Sequence, residues 1–287
     1  MDNIKIGLVL EGGGMRGMYT AGILDVFMNN NIQFDGVIGV SAGAIHGGTY
    51  IAAQKGRNLR YYKKYCTDPR FISIKNWITT GNIVGEDFCY HELPDKLDIF
   101  DYEAFKKNNT PFYAVCSNIE TGKAEYLRIS NMKKQIDILR ASASLPYFSK
   151  PVCIGRKKYL DGGCTDSIPV DIFRKSGYKY NVVVLTRDEN YRKSPEMNLM
   201  AKLIYRKYPK FKKALLNRHL MYNNTVKRIL ELEKKGEIFV IRPQNPLNIG
   251  RLEKNPDILQ AIYDIGFNDA LKALSDMKKW IYEKKSL

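Results

Sequence analysis

Two short apolar runs near the start of the chain each end in a glycine-bearing turn and each hand over to a helical pattern. They are IKIGLVL (4–10), which runs into EGGGMRG, and FDGVIGVS (34–41), which runs into AGAIHGGTYIAAQ (42–54). Apolar runs of this length bounded by glycine read as buried strands. Residues 15–27 then place Tyr19, Gly22, Ile23, Val26 and Phe27 on one helical stripe. Strand–helix–strand–helix with tight glycine connections calls for a mainly parallel sheet covered by helices, an α/β fold.

The remaining pattern fits that frame. Strands are expected at PFYAVCSN (111–118) and AEYLRI (124–129) around a TGK turn, at KKYLDGG (157–163), at YNVVVLT (180–186) and at EIFVIRP (237–243). NMKKQIDILRASAS (131–144) reads as a helix ended by Pro146, and residues 55–110 as short helices. Beyond about residue 187 the texture becomes basic and helical. The last helix begins at Asn255-Pro256, a capping side chain followed by proline at the first helical position.

At 287 residues and 44% hydrophobic content, the chain can build a core without a disulfide or metal staple. Its five cysteines (Cys66, Cys89, Cys116, Cys153, Cys164) are odd in number and lack C-x-x-C spacing, which argues against a disulfide framework or zinc site and for a reducing compartment. The N-terminal run is short for a signal peptide, and the most apolar window is glycine-rich and carries Ser41 and His46. A cytoplasmic address is the expectation. Net charge is +16, and residues 202–235 hold eleven Lys/Arg against Glu231 and Glu233. Such a face is either plainly solvated or suited to phosphate in nucleic acid or on an anionic bilayer.

Three glycine sites carry chemistry. In EGGGMRG, Gly12, Gly14 and Gly17 satisfy the dinucleotide fingerprint, so a nucleotide-binding module is one reading. Its expected acid, Asp35, stands at the wrong end of the second strand. The same backbone can instead form an oxyanion hole, with Arg16 adding positive charge or serving in a surface salt bridge or cap. Loss of one such donor costs about 2.7–4 kcal/mol of transition-state stabilisation.

The second site is GVSAG (39–43), where a strand hands over to a helix. G-x-S-x-G at that junction is a nucleophile elbow: the turn pushes the serine hydroxyl out of the sheet while Gly39 and Gly43 make room. A serine needs a base. His46 lies about one and a half helical turns beyond Ser41 and points away. His91 reads as surface or packing. His219 completes the order Ser41, Asp161, His219 of a histidine-dependent α/β-hydrolase, but it sits in the helical stretch LLNRHLMYNN with no presenting loop. The third site, LDGG (160–163), puts Asp161 at a strand end before Gly162 and Gly163, either as a plain turn or as a carboxylate base whose pKa burial can raise.

EGGGMRG, GVSAG and DGG, in order and joined by ASASLPYFSKPV (141–152), resemble the patatin-like phospholipase family over roughly residues 4–187. The resemblance implies a three-layer α/β/α fold and a catalytic domain at 1–187, followed by a basic, mainly helical extension at 188–287. It implies a lipid acyl hydrolase with a Ser41–Asp161 dyad, no histidine, and an oxyanion hole from Gly12, Gly13, Gly14 and Arg16. An acyl-enzyme forms and water releases a fatty acid, with no metal and no cofactor. Glu11 stands where the family commonly has aspartate, a departure expected to matter little. The partners expected are a lipid acyl ester and, through residues 202–235, the inner face of an anionic membrane; nucleic acid is not expected.

Overall fold

The structure is a computed structural model that describes residues 4–195 and 199–287. The first half of the chain forms β1 (Ile6–Leu10), α1 (Gly17–Asn29), β2 (Gly36–Val40), α2 (Ala42–Ile51), α3 (Arg57–Tyr65), α4 (Ile74–Thr80) and α5 (Tyr102–Lys107). A π-helical segment, Phe88–Leu97, lies between α4 and α5. Then come β3 (Phe112–Asn118), β4 (Lys123–Arg128), α6 (Ile136–Ser142), β5 (Val152–Ile154), β6 (Lys157–Asp161), α7 (Val170–Lys175) and β7 (Tyr180–Val184). The remainder is α8 (Leu199–Ile204), α9 (Pro209–Leu216), α10 (Arg218–Lys234), β8 (Ile238–Ile241) and the long α11 (Pro256–Lys285).

All the strands belong to one sheet in the order β5-β6-β3-β2-β1-β7-β8, with β4 on the other edge of β3. From β3 to β8 every pair is parallel. β1, β2 and β7 are buried along their whole length, which is why they read as unbroken apolar runs rather than alternating ones. Leu8, Leu10 and Val37 pack under α1, α2 and α11, whereas Val9, Ile38 and Val40 face the core shared with α7 and α10. The fold is a three-layer α/β/α sandwich with a mixed, mostly parallel sheet.

The sheet does not stop at residue 187. β8 pairs with β7 from Asn181↔Ile238 to Val184↔Ile241, and α11 lies along α1. That helix pair is close because glycine meets backbone: a Cβ on Gly266 would stand 2.0 Å from the Tyr19 carbonyl oxygen, and one on Gly22 2.2 Å from that of Tyr263. Tyr19 Oη donates to Asp269 at 3.0 Å and Tyr263 Oη to Asp25 at 2.6 Å, tying the two helices at both ends of the contact. Among the described residues no helix is long and apolar enough to cross a membrane.

The local structure departs from the sequence pattern in three places. The helix expected over 131–144 begins only at Ile136, because the Gln135 side chain accepts from the Ser130 and Asn131 amides at 2.9 Å each and holds the preceding turns out of helical register. The helix expected from residue 15 is preceded by a 3₁₀ turn, Gly14–Arg16, and becomes α-helical at Gly17. The three-residue β5 has no counterpart among the expected strands.

Candidate active site

Ser41 joins β2 to α2 at φ 54° and ψ −124°, a conformation that costs a residue with a Cβ about 1–3 kcal/mol. The flanking glycines let the turn close. A Cβ on Gly39 would lie 2.6 Å from the Ala44 amide, and one on Gly43 2.6 Å from the Leu10 carbonyl. The Ser41 amide donates to Ser142 Oγ at 2.9 Å, so the end of α6 pins the elbow.

Asp161 reaches the elbow through strand pairing. One edge of β3 is occupied by β4 across Tyr113–Asn118, so β2 and β6 must share the other edge. Val40 pairs with Val115 and Asp161 with Cys116. The two strands therefore run at each other and stop end to end, leaving the elbow facing the last residue of β6. The Ser41 hydroxyl lies close enough to the Asp161 carboxyl to pull its pKa down. The Gly163 amide donates to Asp161 Oδ1 at 2.8 Å, from the tight turn that Gly162 and Gly163 open. The carboxyl is 4% exposed. Burial raises its pKa above the ordinary 3.8, and the Arg218 charge, the Ser41 hydroxyl, the Gly163 amide and Arg251 pull the other way.

The glycine loop leaves β1 on the other side of Ser41. Among the described residues the amides of Gly12, Gly13 and Gly14 take no protein acceptor, while the next amide, Met15, donates to the Arg251 carbonyl at 3.2 Å. Gly14 has φ +59°, and a Cβ there would stand 2.8 Å from that same carbonyl. Glu11 holds the loop. Its carboxyl accepts from the Thr186 amide at 2.6 Å and from Tyr222 Oη at 2.8 Å, tying β1 to the end of β7 and to α10. Far from incidental, it is 4% exposed, and burial raises its pKa. Arg16 lines the polar recess beside the loop, 8% exposed, with Nε unpartnered. Burial, then the charge of Arg187, lower its pKa to about 10, so it stays protonated at neutral pH.

The histidines stand apart from this group. His46 is fully buried against Tyr62, its ring where a Cβ on Gly17 would fall, and burial pushes its pKa down to about 4. His91 is exposed in the π-helical segment. His219 lines neither recess beside Ser41; its neighbour Arg218 does, donating from Nε to the Gly163 carbonyl at 2.6 Å.

Two recesses meet at Ser41. One, about 1010 Å³ counting its open mouth, is walled by apolar side chains including Tyr61, Phe71, Leu93, Phe100 and Leu139. The other, about 580 Å³ on the same measure, is polar and holds Glu11, the glycine loop and Asp161. Ser41, Gly14, Leu145 and Arg251 border both. Thr186, Arg187, Arg218, Tyr222 and Arg251 carry no signal in the sequence; each comes from a loop or helix beyond β7, and no local pattern marks it. Ser142 lies inside the ASAS block, where nothing distinguishes it from its neighbours.

The family model "Patatin-like phospholipase" matches residues 8–174, and a second, "Domain of unknown function (DUF6363)", matches 208–282. The uncharacterized protein YjjU of Escherichia coli (strain K12) is 27% identical over 99% of this chain and 81% of its own length. Lysophospholipase NTE1 of Debaryomyces hansenii is 28% identical over 64% of this chain, which spans only 12% of that protein. A putative patatin-like phospholipase domain-containing protein, M110.7 of Caenorhabditis elegans, is 27% identical over 62% of this chain and 16% of its own. Among solved structures, VipD from Legionella pneumophila superposes with a TM-score of 0.46 at 11% identity, covering 95% of this chain and 67% of that one. With more than half of its length matched by the family model, this chain belongs to the patatin-like phospholipase family.

Proposed function

We propose that the chain is a serine lipid acyl hydrolase working through a Ser41–Asp161 dyad. The observation that carries the reading is the juxtaposition of Ser41, on a strained elbow, with a buried carboxyl at the facing end of β6, both lining one polar recess. Ser41 Oγ attacks the acyl carbonyl and its proton passes to Asp161, whose raised pKa makes it a better base than an exposed aspartate. The free amides of Gly12, Gly13 and Gly14 receive the oxyanion, with the Arg16 charge beside them. Asp161 returns the proton to the departing alkoxide, leaving an acyl-enzyme. Water, deprotonated by the same carboxylate, then attacks the acyl group, and Asp161 returns the proton to Ser41 Oγ as it leaves, releasing the fatty acid. The apolar recess takes the acyl chain.

The lysophospholipase name carried by NTE1 relatives points to lipid esters as the substrate class here. Residues 202–235 and the exposed Leu199 and Leu203 of α8 suit peripheral contact with an anionic bilayer, and five free thiols suit a reducing, cytoplasmic setting. Equal sedimentation with anionic and neutral liposomes would remove the membrane part. The central test is hydrolysis of a short-chain p-nitrophenyl ester by the wild type and by Ser41→Ala. Turnover confined to the wild type supports the dyad; full activity in Ser41→Ala ends it.

A further inference from the structure

The polar recess is lopsided in charge. Arg16, Arg187, Lys193, Arg218 and Arg251 all line it, against the two carboxyls of Glu11 and Asp161. Glu11 is already engaged by Thr186 and Tyr222, and Asp161 accepts from the Gly163 amide beside the Arg218 charge. Among the described residues neither Arg187 nor Arg251 makes a salt bridge; the Arg187 guanidinium lies over the Tyr191 ring at 4.1 Å. Arg16 presents a buried Nε with no hydrogen-bond partner. The charges of Arg187 and Arg251 both press on Arg16, and an anion bound among these three relieves that repulsion.

The cations also share an origin. Only Arg16 lies within residues 8–174, the part matched by the family model. Arg187 follows β7, Lys193 lies in the next loop, Arg218 opens α10 and Arg251 precedes α11. The loop is tied down: the Lys193 amide donates to Asn223 Oδ1 at 2.8 Å, and Asn223 Nδ2 returns a bond to the Lys193 carbonyl at 3.0 Å. The C-terminal part of the chain thus supplies most of the charge beside Ser41, opposite the apolar recess.

We propose that this recess is a phosphate subsite, and that the substrate is a single-chain glycerophospholipid with a net-anionic headgroup. This rests on the proposed hydrolase reading. The acyl chain fills the apolar recess, the ester lies at Ser41, and the phosphate sits among Arg16, Arg187, Lys193, Arg218 and Arg251. No unengaged carboxylate lines the recess to receive a choline cation, so a phosphate monoester is preferred over phosphocholine.

The test is calorimetric titration of full-length Ser41→Ala with four probes at one ionic strength: 1-octanoylglycerol 3-phosphate, 1-octanoylglycerophosphocholine, 1-octanoylglycerol and inorganic phosphate. The first is expected to bind at least about tenfold tighter than each of the others. Adding Arg187→Gln with Lys193→Gln, or separately Arg251→Gln, is expected to bring the three acylated probes within about twofold of one another, with melting curves checking that each variant is folded. Equal binding of the acylated probes, a preference that survives both sets of substitutions, or no binding at all overturns the proposal. Inorganic phosphate binding as tightly as the acylated phosphate also overturns it, marking a free-phosphate site instead. Ester hydrolysis by the Ser41-intact enzyme is read separately: turnover without phosphate preference sinks only this inference, and preference without turnover sinks only the hydrolase.

Discussion

Ser41 and Asp161 meet because the strands that carry them stop head to head on one edge of β3, Val40 opposite Val115 and Asp161 opposite Cys116. The pairing fixes their approach by backbone hydrogen bonds rather than by flexible side chains, which is the kind of support a proton transfer needs.

Replacing Asp161 with Asn should therefore separate activity from stability. On the proposed dyad, in which Asp161 is the base, its removal is expected to lower kcat by about 10²–10⁴-fold. The stability sign follows from the raised pKa: the unfolded carboxyl titrates near 3.8 and the folded one higher, so the folded state holds more protons between them and loses stability as pH rises through that window. Asn escapes this, so Asp161→Asn should melt at or above the wild-type temperature at neutral pH. Wild-type kcat/KM should rise with pH through a midpoint above 3.8. A variant that melts clearly lower would mean that the ionised carboxylate stabilises the fold, contrary to this reading.

The elbow predicts a second separation. Ser41 holds φ 54° and ψ −124°, which glycine adopts without penalty. Ser41→Gly is expected to be about 1–3 kcal/mol more stable than Ser41→Ala in denaturant titrations, both being inactive. Equal stabilities would show that the turn stores no strain.

What the sequence disclosed was local. Strand–glycine–helix junctions at residues 10–17 and 39–43 and the DGG turn are short-range chemistry, so Ser41, Asp161 and the glycine loop are legible in the sequence as candidates that gain weight only when taken together. Their meeting does not, because it depends on β4 filling one edge of β3 and forcing β2 and β6 onto the other. Arg187 and Arg251 lie in loops with no periodicity, and they reach the site through the pairing of β7 with β1 and the bond of the Met15 amide to the Arg251 carbonyl. His219 illustrates the limit well. The order of residues suggests it, yet Arg218 lines the recess instead.

Glu11, a minor departure in the sequence pattern, is expected to be a structural hinge-pin of the site. Glu11→Ala leaves the Thr186 amide and Tyr222 hydroxyl without their acceptor inside the fold. Each buried group so stranded costs about 1–3 kcal/mol, and the glycine loop loses its tether. Both Tm and kcat should fall. Tyr222→Phe, which removes one donor and leaves the Thr186 contacts, should give a smaller drop in each. If Glu11→Ala keeps wild-type kcat, the loop is held by other contacts.

The last prediction concerns whether residues beyond 187 are separable. α11 covers α1 through glycine-to-backbone contacts, and β8 completes the sheet beside β7. Gly266→Ala would force a Cβ to within 2.0 Å of the Tyr19 carbonyl, so the helices must part. Overpacking of this kind costs about 1–3 kcal/mol, read as a lower denaturation midpoint with an unchanged slope. A chain ending at residue 187 loses more: the α1 surface that meets α11 and the open edge of β7 both become exposed, and such edges pair with one another. That fragment is expected to aggregate rather than melt cooperatively. A soluble 1–187 fragment with a sharp thermal transition would make the C-terminal part an accessory to a self-sufficient domain, and would leave Arg218, Tyr222 and Arg251 as additions to a site that assembles without them.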